Sequence, residues 1–168
     1  AISKYAHSVG YEVGNIMVMD GSKRSSKSNA FFTGFGRTRR IALFDTLIDQ
    51  QTVPELVSVL AHEIGHYKKK HIIQGTVIGI AHSGVVFFLL SILLTSPGLY
   101  EAFKMEQASI YTGLMFFGLL YTPVEMILSL GLSAMSRHNE YQADRFAVET
   151  VEEPDSLITA LKKLSAEN

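Results

Sequence analysis

The stretch TVPELVSVLAHEIGHYKKK, residues 52–70, reads as one helix that turns two imidazoles toward a single point. Thr52 and Glu55 make a capping box, Pro54 stands in the first turn, and Leu56, Val59, Leu60, Ile64 and Tyr67 recur at helical spacing. His62 and His66 are four residues apart, hence on one face, so both rings can reach one ion with Glu63 beside it. That H-E-x-x-H spacing is the pattern in which two histidines hold zinc and the glutamate acts as general base. The plain alternative is a pair of solvated or core histidines on an amphipathic helix.

Zinc bound by two histidines needs a third protein ligand, with a fourth position left open for water or substrate. SRHNEYQADRFA, residues 136–147, supplies the best candidate, Glu140, with Asp144 one turn further on the same helical face. One carboxylate can bind metal while the other orients a ligand histidine through its free ring N–H. Asp144 itself, and more distantly Glu149, stay open as the completing ligand. Taken alone, the segment could equally be a charged surface face in which Glu140 pairs with Arg137 or Arg145.

Between these two helices lie two apolar runs. Ile72 to Tyr100 contains no Asp, Glu, Lys or Arg, and Ile72–Ser96 as a helix would measure about 38 Å, enough to cross a hydrocarbon core of about 30 Å. From Gln107 to Ser136 the single charge is Glu125, with Pro123 placed to kink a long second helix. The expectation is a hairpin of two membrane spans turned by Thr95-Ser96-Pro97-Gly98. Buried helices of a soluble core are the alternative. His82, inside the first span, is expected to hydrogen-bond to the neighbouring helix rather than to bind metal. Lys68, Lys69 and Lys70 precede the first span and Arg137 follows the second, which puts both motif helices on the cytosolic side. His66 lies about 9 Å of helix before the hairpin and Glu140 about 6 Å after it, so the metal belongs at the membrane border.

The first fifty residues read as a helix end to about Gly10, with short strands at Ile16–Met19, Ala30–Thr33 and Arg40–Phe44. Gly34, Gly36 and the basic run Arg37–Arg40 suggest a hairpin tip. The domain plan is a single core over 1–168. It comprises a helix end and β-hairpin with an edge strand (1–52), the motif helix (53–71), a membrane hairpin (72–136), and a third-ligand helix with a C-terminal helix (137–168). The fold class is α+β, mainly α.

Three ordered blocks carry a resemblance: VMDGSKRSSKSNAFF (18–32) with RIALFDTL (40–47), HEIGHY (62–67), and SRHNEYQADRFA (136–147). Together they resemble the type I CAAX prenyl proteases, integral-membrane zinc metallopeptidases related to the HtpX-type heat-shock proteases. The resemblance runs from about Gly10 to Ala147. It implies a zincin-like core with the transmembrane hairpin inserted between the metal-binding helices. It also implies His62, His66 and Glu140 as zinc ligands, Glu63 as general base, Asp144 as the residue that orients a ligand, and Asn29 and Ala30 on an edge strand that pairs with the substrate backbone. The implied substrates are C-terminally prenylated CAAX proteins, which lose their last three residues, at the endoplasmic reticulum or a bacterial inner membrane. Members of that family carry further spans before the first block and a histidine-bearing segment after the last. The chain is therefore expected to be a fragment of the catalytic core with low peptidase activity.

Composition narrows the remainder. With 47% hydrophobic residues and 18% charged ones, the chain is apolar for a soluble protein. No cysteine is present, which excludes disulfides, thiolate metal sites and thiol nucleophiles. Lys23, Arg24, Lys27, Arg37, Arg39 and Arg40 form a basic cluster, but the net charge is −1 and no recognition motif accompanies it, so nucleic acid is not an expected partner. The expected partners are a peptide or protein substrate and the lipid bilayer. Two rival readings use the same residues: a general quality-control protease for membrane proteins, and a non-catalytic membrane scaffold with a structural zinc. A structural site has no need of a base beside its metal, so Glu63 separates the second from the first.

Overall fold

Strand β3 (Arg40–Phe44) is the middle of a three-stranded sheet and leads, through one short helix, to the helix that carries His62 and His66. It runs parallel to β1 (Asn15–Met19), with Ile16 opposite Ile41, and antiparallel to β2 (Ala30–Thr33), with Phe31 opposite Ala42. Ile41, Ala42 and Leu43 are buried, whereas all five residues of the outer strand β1 are exposed. A central strand covered on both faces reads as a continuous apolar run, and IAL within β3 does.

The computed structural model describes residues 1–20, 30–33, 40–104 and 109–167. They divide into two compact units, Ala1–Lys70 with Asn139–Asn168, and His71–His138. In the first unit, α1 (Ile2–Ser8), β3, α2 (Asp45–Gln50) and α3 (Val53–Lys68) share one core of Ala6, Tyr11, Ile41, Leu43, Leu47, Leu56, Leu60 and Ile64. The helix α2 stands between the strand and the Thr52 cap, where the sequence pattern predicts no element. It starts where Asp45 Oδ1 accepts the Thr46 N–H at 2.8 Å.

At the N-terminus of α3 the capping box forms as the sequence predicts: the Thr52 N–H donates to Glu55 Oε2 at 2.7 Å. Lys163, on the C-terminal helix α7 (Asp155–Glu167), donates to the same oxygen at 2.7 Å, and the Glu55 side chain is only 6% exposed. The Lys163 hydrogen bond first, and the Thr52 N–H after it, hold the Glu55 carboxyl below its ordinary 4.5. A carboxylate depressed on folding stabilises fully above its unfolded pKa, and that contribution disappears as pH falls through the lower folded value. The urea midpoint should therefore drop as pH falls below about 4.5, and Lys163→Met should flatten that part of the profile.

The second unit holds α4 (His71–Thr95), α5 (Pro97–Ala102) and the first part of α6 (Ile110–Thr150). Both α4 and α6 are long and apolar enough to cross a membrane, with mean hydropathies of 2.4 and 1.6 over their most apolar windows. Pro123 lies inside α6 without ending it. The expected four-residue turn is corrected: Ser96 and Pro97 open the short helix α5, because Pro at the first helical positions has the right φ and no N–H to leave unpaired. Tyr100 is buried, and its hydroxyl lies 2.6 Å from where a Cβ on Gly113 would stand, so that glycine admits the ring. His82 Nε2 is 3.0 Å from both the Tyr121 hydroxyl and Glu125 Oε2, an interhelical polar contact of the kind expected for it.

Candidate metal centre

One turn of α3 separates His62 from His66, and their Nε2 atoms face each other at 3.1 Å. Glu140, on α6, completes the group: its Oε2 lies 3.4 Å from His62 Nε2 and 3.4 Å from His66 Nε2. Three potential donor atoms from two helices thus form a nearly equilateral triangle. A tetrahedral zinc site with bonds of about 2.0–2.1 Å requires donor separations of about 3.3–3.4 Å. The donor set and its spacing fit the ion.

Asp144 stands one turn beyond Glu140, and its Oδ1 is 2.8 Å from His62 Nδ1. A carboxylate only accepts, so His62 donates from Nδ1 and keeps its Nε2 lone pair directed at the triangle. The two imidazoles are sheltered, at 16% and 21% exposure, while Glu140 is 55% exposed. The group is thus walled by α3 and open on the carboxylate side. Glu63 is half-buried on the same helix. Burial pushes its carboxyl above the ordinary carboxylate range; His62 and His66 oppose the rise, and Glu140 adds to it.

Glu149 is not in this group: its Oε1 accepts from Arg145 Nε at 2.8 Å. Of the edge-strand pair, Ala30 opens β2, opposite Leu43, and Asn29 lies outside the described residues. Ile64, on the apolar stripe of the helix, is 1% exposed in the core of the first unit. Gly65 looks like a spacer in the motif, yet it lies against Ala143 of α6. The small residues Ala61 and Gly65 on α3, and Ala143 and Ala147 on α6, each four apart, are the pattern from which that close contact could have been read.

Comparison with known proteins matches residues 1–167 to the model of peptidase family M48. CAAX prenyl protease 1 of Saccharomyces cerevisiae is 37% identical over 88% of this chain and 36% of its own length. The CAAX prenyl protease 1 homolog of Oryza sativa subsp. japonica is 39% identical over 99% of this chain and 39% of its own. Among solved structures, the crystal structure of S. mikatae Ste24p superposes with a TM-score of 0.78 at 36% identity, over 99% of this chain and 43% of that one. The chain therefore spans well under half the length of these relatives.

Proposed function

The chain belongs to peptidase family M48, and we propose that it is the catalytic core of a membrane zinc endopeptidase, with His62, His66 and Glu140 holding the ion and Glu63 as general base. The observation that supports this best is the donor triangle of 3.1, 3.4 and 3.4 Å, with Glu63 on the same helix as both imidazoles. A zinc ion held there supplies Lewis-acid polarisation of the scissile carbonyl and acidifies the attacking water. Glu63 accepts a proton from that water as its oxygen bonds to the carbonyl carbon. It then delivers the proton to the amide nitrogen as the C–N bond breaks, so the proton count closes within one side chain. Asp144 keeps the His62 ring in the tautomer and orientation that ligation needs. Asp144→Ala should weaken zinc affinity by about 10- to 100-fold, measured by competition with a chelator.

The substrate class follows from the relatives named as CAAX prenyl proteases. It is a protein with a prenylated C-terminal CAAX sequence, cut to remove the last three residues. In this reading the zincin-like core carries the hairpin as an insertion. The strand β2, which Ala30 opens, takes the substrate backbone by strand addition with Asn29 before it in the chain, since β2 has a neighbour only on its β3 side among the described residues. Helices α4 and α6 anchor the core, and Lys68, Lys69, Lys70 and Arg137 set the cytosolic side.

The test is elemental analysis of the detergent-solubilised chain, followed by single-turnover hydrolysis of a farnesylated CAAX peptide and its unprenylated counterpart. About one zinc per chain, with cleavage of the farnesylated peptide abolished by 1,10-phenanthroline and restored by zinc, is the expected result. Equal cleavage of both peptides would replace the CAAX reading by a general membrane protease. Zinc without any cleavage would favour the scaffold.

A further inference from the structure

Glycine is, after proline, the poorest helix former, so Gly65 in the interior of the 16-residue helix α3 needs a reason. The spatial surroundings provide one. A methyl group on Gly65 would stand 3.0 Å from Ala143 Cα, 3.1 Å from the Ala143 carbonyl oxygen and 3.3 Å from Phe146 Cβ. Ordinary carbon contacts lie at about 3.5–4.0 Å, and two of the three atoms belong to the α6 backbone, which has no rotamer with which to step aside. Gly75, Gly79 and Gly84 of α4, by contrast, would meet nothing within 4 Å. Ala143, against which Gly65 lies, is buried and sits between Glu140 and Asp144 in the chain.

We infer that Gly65 is a positioning residue: by admitting the α6 backbone it sets the distance at which Glu140 stands from the two imidazoles. The inference deepens the metallopeptidase reading and rests on it. An added methyl displaces α6 by several tenths of an ångström, and the displacement falls on the one donor that comes from outside α3. A metal constellation tolerates only about 0.5 Å of misplacement. The two histidines are fixed to α3 itself, so the shift reaches the site through the α6 side chains alone: Glu140 as a donor and Asp144 as the partner of His62 Nδ1.

The experiment is a double-mutant cycle on zinc affinity, read by chelator competition, with Gly65→Ala, Glu140→Gln and the double variant beside the parent chain. Far-UV circular dichroism of each is recorded without metal. The expected result is a helical signal equal to that of the parent and a zinc affinity about 10- to 100-fold weaker for Gly65→Ala. In the Glu140→Gln background the same methyl should cost distinctly less than in the parent, since the ligand it displaces is already gone and only the Asp144 contact to His62 is left to disturb. Parent-like affinity in Gly65→Ala, an equal loss in both backgrounds, or collapse of the helical signal would each overturn the proposal, the last two by assigning Gly65 to the stability of the fold. A parent chain that binds no zinc overturns the metallopeptidase reading itself, and the cycle separates that failure from the others.

Discussion

A Glu63→Gln chain should retain one zinc per molecule and hydrolyse peptide about 100- to 10,000-fold more slowly than the parent. Glutamine keeps the size of the side chain and disturbs neither the His62–His66 spacing nor the Asp144 hydrogen bond, because Glu63 is in neither contact. What it removes is a group able to take a proton and give it back. Elemental analysis and single-turnover rates on the same preparation check both halves. Loss of zinc would make Glu63 a ligand instead of a base, and undiminished hydrolysis would place the base elsewhere.

Glu140→Gln should act on the metal instead and weaken its binding. Its Oε2 is the only donor of the triangle contributed by α6, and an amide oxygen is a neutral and much weaker zinc donor than a carboxylate. Two imidazoles alone leave the ion under-coordinated, so affinity should fall by more than the roughly 10- to 100-fold expected when only an orienting partner such as Asp144 is lost. Glu149→Gln is the matched control. Its carboxylate is engaged with Arg145, so zinc content should not change. If Glu149→Gln loses zinc and Glu140→Gln does not, the ligand assignment is wrong.

Much of the molecule is legible in one dimension because the relevant forces act over one or two helical turns. The capping box at Thr52 and Glu55, the i, i+4 pairing of His62 with His66, and the apolar length of α4 and α6 all depend on residues within a few positions of one another. Short-range chemistry does not reach further. The sheet order β1-β3-β2 follows from packing that no local pattern records.

The candidate site divides along the same line. Sequence alone determined that two imidazoles and a glutamate share the face of one helix, and that a second helix, more than seventy residues later, carries three acidic side chains able to complete a metal site. Which acid does what was undetermined, since Glu140, Asp144 and Glu149 are all compatible with helical spacing. The tertiary structure separates the three by position: Glu140 faces both Nε2 atoms, Asp144 takes the His62 Nδ1–H, and Glu149 turns away to Arg145. The physical reason is that the rotation and depth of α6 against α3 are set where the backbones meet, at Gly65 and Ala143. A contact between residues so distant along the chain leaves no trace in the periodicity of either helix.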